Sequence, residues 1–299
     1  MIYEPRRAPR HEILRLRGLD HHLTRWGPPD AAPYVFLHGW ADTSDTFQFV
    51  VDAFAHEHAI AAPDWRGFGR SQWQHASYWF PDYFADLDAL LDVVSPHAPA
   101  TLVGHSMGGN IAALYAGIRP ERVARLVNLE GFGLPRRPPE DAPAQYRKWL
   151  EQLQAPPAWG RFDSVESFAR VLLKKNPRLT PARAAFVARS WSIELPDGGC
   201  SVNADPWHKV ANPVLYRRDE AEACWRRCVA PVLLVLGGLS EFRRGLGADG
   251  TPERFASVYP NLAIATLAEA GHMLHHERPE ELAALIEPFM TGAAAEAAT

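Results

Sequence analysis

Short apolar runs bounded by turn residues alternate along this chain with segments whose apolar positions recur every three or four residues. Residues 11–17 and 21–26 flank Gly18-Leu19-Asp20 and read as an opening β-hairpin. Strands are expected at 33–38, 58–62, 100–104 and 123–129, where aliphatic residues run without a polar break. Phe84, Leu87, Leu90, Leu91 and Val94 share one face of a helix expected over 81–94. A second helix is expected over 108–118, behind a pair of glycines. Continuous apolar strands separated by helices predict an α/β fold, a mainly parallel sheet covered on both faces.

The alternation stops after Gly133. Six prolines fall between 133 and 160, and no clear strand pattern returns before 231. Asp163 and Glu166 suggest a capping box, and Thr180-Pro181 a helix start. The pattern then resumes with a strand at 231–236, a helix at 252–258, a strand at 261–267 and a helix at 279–290. The Ala-rich tail 291–299 is expected to fray. The expected organisation is a sheet domain, residues 1–133 and 229–299, carrying a helical cap over 134–228.

Composition narrows the function. The 299 residues carry 31 Lys plus Arg against 35 Asp plus Glu, a formal net charge of −4. No basic excess exists to neutralise phosphates, so nucleic acid is not an expected partner. No run reaches the ~18 apolar residues of a membrane span, and residues 1–26 lack an apolar run of signal-peptide length. Cys200, Cys224 and Cys228 are too few for a disulfide framework and lack zinc spacing. They are expected as packed thiols in a reduced, cytoplasmic setting, with no metal. Ten tryptophans stand out, and Trp149, Trp159, Trp191, Trp207 and Trp225 all fall in the expected cap. They predict an apolar cleft beneath it.

The chemistry begins at Leu102-Val103-Gly104-His105-Ser106-Met107-Gly108, an apolar strand entering a G-x-S-x-G turn with a helix behind it. Such a turn strains the serine backbone, and the flanking glycines relieve the crowding. Ser106 is the expected nucleophile. The amide of Met107, at the helix N-terminus, suits an oxyanion. The amide of Trp40, after His38-Gly39, is the expected second donor. His38 is expected to support that loop, and Asp64 to Ser71 to form a mostly structural turn beside it.

Among 13 histidines, His272 follows the last strand and Gly271, where a general base belongs in chain order. His275 and His276 are close enough to serve as controls, while His105 should pack beneath the turn. The acid is less plain. After the strand at 231–236 the turn reads Gly237-Gly238-Leu239-Ser240-Glu241, which puts a serine where a carboxylate would stand. Two candidates follow: Glu130, ending the run 126–130 at the sheet's C-terminal edge, and Glu241, one residue late in its turn.

Together, His38-Gly39-Trp40, Asp64 to Ser71, the elbow at 104–108, and Gly271-His272 with Glu277 and Pro279 make the chain resemble the α/β-hydrolase fold family over nearly its whole length. The resemblance implies an eight-stranded, mainly parallel sheet with an inserted helical cap. The serine differs from the aspartate of haloalkane dehalogenases and epoxide hydrolases. The spacing from Ser106 to Glu130 is nevertheless similar to dehalogenases whose acid follows that same strand. The expected activity is hydrolysis of carboxylic esters of small to medium apolar substrates by Ser106, His272 and Glu130, without a cofactor. The alternatives are a lactone, amide, thioester or C–C bond on the same scaffold, or a binding protein without turnover. An exposed cap face could also pair two copies as a homodimer.

Overall fold

β1 (Arg10–Leu16) and β2 (Leu19–Trp26) form the expected antiparallel hairpin, closed by Arg17 and Gly18 at positive φ. The structure is a computed structural model and describes residues 2–293. The strands that follow are β3 (Tyr34–Leu37), β4 (Ile60–Pro63), β5 (Ala100–His105) and β6 (Val123–Leu129). After the insertion come β10 (Val232–Gly237) and β11 (Leu262–Leu267), the numbering allowing for three short strands between. These eight form one sheet in the order β1-β2-β4-β3-β5-β6-β10-β11. Only the pairings of β2 are antiparallel.

Helices cover both faces. The first three are α1 (Gln48–Ala53), α2 (Phe80–Val94) and α3 (Met107–Ile118). Alternate residues of the central strands point to opposite layers, as the pleat requires. Leu102 and Leu126 pack with Leu87 of α2 and Ile111 of α3. Val103 and Val127 pack on the other side with Val51 of α1. Both layers exclude water, so the strands read as continuous apolar runs rather than as alternation.

The insertion between β6 and β10 holds α4 (Ala142–Gln154), β7 (Arg161–Phe162), α5 (Val165–Lys175), α6 (Pro181–Ser190), β8 (Ser192–Glu194), β9 (Cys200–Val202) and α7 (Arg218–Trp225). β7, β9 and β8 form a small antiparallel sheet that the sequence reading did not anticipate. Strands of two or three residues are too short to show a period. The capping box of α5 is also one residue later than expected: Ser164 and Ser167 exchange the bonds, not Asp163 and Glu166. Thr180 caps α6 as anticipated. α7 packs on α3 rather than on the other inserted helices. Its Trp225 is buried and stacks on Tyr259 with centroids 5.4 Å apart.

The chain closes with α8 (Glu241–Arg244), α9 (Pro252–Val258), α10 (Leu274–Glu277) and α11 (Pro279–Thr291). α11 ends on Gly292 in the left-handed conformation, a common helix stop. Residues 294–299 of the expected frayed tail lie outside the described residues. No described helix is long and apolar enough to cross a membrane.

Candidate active site

β5 delivers Ser106 at the sheet's C-terminal edge. The turn puts Ser106 at φ 51° and ψ −113°, a conformation side chains avoid and which costs of order 1–3 kcal/mol. The surrounding bonds fix it: its amide donates to the Leu129 carbonyl at 2.8 Å, and its carbonyl accepts from the Asn110 amide at 2.9 Å. A Cβ on Gly104 would lie 2.5 Å from the Gly108 carbonyl oxygen, and one on Gly108 would lie 2.1 Å from that of Leu37. Neither position admits a side chain. Met107 opens α3, so its amide is among those the helix ladder leaves unfilled.

The strand-end segment His38-Gly39-Trp40 lies against this turn, with a Cβ on Gly39 falling 3.3 Å from Ser106 Cβ. His38 braces it. Its Nε2 accepts from the Trp65 amide at 2.9 Å, so Nδ1 carries the proton and donates to the Gly39 carbonyl at 2.7 Å. Burial pushes its pKa down, which suits this neutral tautomer. Trp65 and Phe68 are both buried and serve packing rather than a pocket wall. The Trp40 ring is half-exposed and meets Trp159 of the insertion at 5.2 Å.

His272 stands between Ser106 and Glu130. Its Nε2 is 3.0 Å from Ser106 Oγ and its Nδ1 is 3.1 Å from Glu130 Oε2. Glu130 is 1% exposed and sits at φ 60°, just past β6. Its Oε1 accepts from the Gly237 amide at 2.7 Å, and its Oε2 accepts from the Ser240 hydroxyl. The turn after β10 therefore lends donors to a carboxylate standing on β6. Glu241 is exposed at the first turn of α8, away from this chain of bonds.

His105 packs beneath the turn, as expected, and donates from Nε2 to the His272 carbonyl at 2.9 Å. Burial, then the neighbouring His275 and His272, pushes its pKa far down. Phe242 stacks over the His272 ring at 4.3 Å. His275 and His276 are buried and turned toward Asp42: His275 Nε2 is 3.3 Å and His276 Nε2 3.9 Å from Asp42 Oδ2. Asp42 Oδ1 accepts from the Thr43 amide, Thr46 Oγ1 and Trp191 Nε1 at 2.6–2.8 Å. Burial works against ionising Asp42, but the His275 hydrogen bond and the nearby imidazoles hold it well below the usual carboxylate range. Their ligand atoms fall within 4.8 Å of one another, close enough to hold a metal ion, a grouping the sequence spacing gave no sign of.

Cationic side chains of the insertion that could receive an acidic group are paired or exposed. Arg136 pairs with Asp219, Glu222 and Asp249, and Arg137 with Asp141. Lys174 and Lys175 are exposed. The cysteines are free. Burial pushes the Cys228 thiol up to about 11, which leaves it unreactive. The bonds that Ser240, Gly237 and His105 make were not foreseen, because each joins segments over 100 residues apart.

A family model for the alpha/beta hydrolase fold matches residues 33–279. A serine hydrolase-like protein of Danio rerio is 27% identical over 273 residues, 89% of this chain and 83% of that protein. Cis-3-alkyl-4-alkyloxetan-2-one decarboxylase of Shewanella oneidensis is 33% identical, over 94% of this chain and 88% of its own. Among solved structures, the thioesterase domain from the curacin biosynthetic pathway aligns with a TM-score of 0.81 at 25% identity, covering 93% of this chain and 99% of that one. With its sheet order, its elbow serine and this match over most of its length, the chain belongs to the α/β hydrolase fold family.

Proposed function

We propose that this protein is a serine hydrolase of carboxylic esters of small to medium apolar substrates. The observation that carries the reading is the unbroken hydrogen-bonded chain Ser106 Oγ, His272, Glu130, with its acid almost wholly buried. His272 Nε2 takes the proton as Ser106 Oγ bonds to the acyl carbon. Glu130 fixes the imidazole tautomer and stabilises the imidazolium. The amides of Met107 and Trp40 receive the oxyanion. His272 then returns the proton to the departing alkoxide oxygen, leaving an acyl-Ser106. Water, deprotonated by the same imidazole, attacks that ester, and the imidazolium returns the proton to Ser106 Oγ as the acid leaves. The exposed rings of Trp40 and Phe242 near the site favour an apolar acyl group.

A panel of aryl esters of increasing acyl length tests the reading. Turnover of short and medium chains, lost in Ser106→Ala, is expected; absence of turnover on every ester would overturn it. The same residues can cleave a thioester or open a lactone, because attack on the acyl carbon is common to all three. The likeness to a thioesterase domain favours including a thioester, and the likeness to an enzyme acting on an oxetan-2-one favours including a lactone. Comparing kcat/KM across the three ranks them.

A further inference from the structure

Glu277 ends α10, the short helix that follows His272, and is 2% exposed. Its Oε2 accepts from the Gly271 amide at 2.6 Å and from Arg178 Nε at 2.6 Å. Its Oε1 accepts from Asn176 Nδ2 at 2.8 Å and from Arg178 Nη2 at 3.3 Å. Asn176 and Arg178 come from the insertion, in the turn between α5 and α6. The guanidinium also lies over Gly271: a Cβ there would fall 2.3 Å from Arg178 Nη2. The residue immediately before His272 is thus held on two sides, at its amide by Glu277 and at its Cα by Arg178. Burial opposes ionisation of Glu277, yet Arg178, the Gly271 amide and Asn176 keep its carboxyl below the usual range.

We infer that Arg178 is a positioning residue, and that the chain Arg178–Glu277–Gly271 latches the inserted segment to the loop that carries His272. The inference rests on the serine-hydrolase reading above. Its logic is electrostatic. A buried carboxylate tolerates its site only while its counter-ion is present. When the insertion lifts, Glu277 loses Arg178 and Asn176 together and turns toward water. The Gly271 amide then loses its acceptor, and a buried amide without a partner repacks. The 3.0 Å contact between His272 and Ser106 begins one residue away, so the relay is aligned only with the insertion seated. The seated insertion thereby couples substrate enclosure to a competent base.

The test uses the full chain and one short-chain aryl ester. Kinetics and the rate of Ser106 labelling by a fluorophosphonate are measured for Arg178→Ala, Glu277→Gln and the double variant. Lys174→Ala, exposed in the last turn of α5, is the control. Arg178→Ala is expected to lower kcat and the labelling rate together, on the order of 10–100-fold, since small misplacement of a reacting group costs that much. KM should change little, and Arg178→Lys should recover part of the loss. The double variant should be scarcely worse than Glu277→Gln alone, because both act through one contact. Unchanged kcat and labelling in Arg178→Ala overturn the inference. So does a loss confined to KM that adds to that of Glu277→Gln, which would make Arg178 a substrate contact. Should Arg178→Ala not fold, Arg178→Gln repeats the measurement with the same criteria. Failure of the serine reading looks different: the unmodified protein itself would neither turn over the ester nor take the label.

Discussion

Ser106 and Glu130 both stand at positive φ, near 50–60°, where residues other than glycine rarely sit. Each ends a neighbouring strand, and each is held by backbone bonds to the next strand over: Ser106 to Leu129, and Glu130 to Val235. Strain at two facing strand ends is the local cost of pointing a hydroxyl and a carboxylate at one imidazole. The meeting of Ser106 and His272 could be anticipated because each sits in a short motif with a fixed place in chain order. Glu130 was legible only as one of two candidates. What separates it from Glu241 is the pair of donors from Gly237 and Ser240, which only folding brings near. Ser240, which stands where an acid was sought, donates to Glu130. Glu130→Gln is predicted to remain folded and to lose about 10³–10⁴-fold in kcat, the scale on which a triad acid acts. Glu241→Gln should stay near the unmodified rate. A steady-state comparison of the two decides the assignment, and the reverse ranking would reject it.

At the scale of elements, long strands and amphipathic helices could be read because both periods repeat several times within them. β7, β8 and β9 could not, since none is long enough to complete a pattern. Nor could the buried ion pairs that pin loops to helices. Arg66, in the loop after β4, meets Asp86 of α2 through two bonds of 2.5 Å with both side chains buried. Asp86→Asn would leave that buried guanidinium only the longer, 3.5 Å contact with the part-exposed Asp82. It is predicted to destabilise the fold by about 3–5 kcal/mol, read as a lower urea midpoint at unchanged slope. A stability within error of the unmodified protein would show that Arg66 finds water instead. Glu287 of α11 accepts from the amides of Ala55 and His56 and from His58, just past α1. Burial opposes its charge, but these bonds hold its pKa down from the usual 4.5 to about 2. A folded value below the unfolded one stabilises the fold fully above the unfolded value. That contribution fades as pH falls from about 4.5 toward about 2. Glu287→Gln should therefore lower Tm at pH 7 and narrow its gap to the unmodified protein as pH approaches 2. A gap independent of pH would contradict this.

For the molecule as a whole, the mainly parallel sheet was legible because continuous apolar strands need helices on both faces, whereas the strand order emerges only from the fold. The tryptophans were a less faithful guide. Trp225 belongs to the layer beside α3, and Trp191 donates to Asp42. Of the five in the insertion, Trp159 is the one that meets Trp40, the residue whose amide we assign to the oxyanion. Composition pointed to apolar surface, and the fold divides that surface between packing and site. The insertion meets the segment after His272 through Arg178 and Asn176 on Glu277, and through the Trp191 ring beside His276. The proposed hydrolysis requires Ser106 to act as a nucleophile toward acyl carbon. The most direct measurement is peptide mapping by mass spectrometry after exposure to a fluorophosphonate. One adduct is expected, on Ser106, abolished in Ser106→Ala and strongly slowed in His272→Ala. An unmodified Ser106 in a folded protein, or labelling that persists without His272 at the same rate, would contradict it.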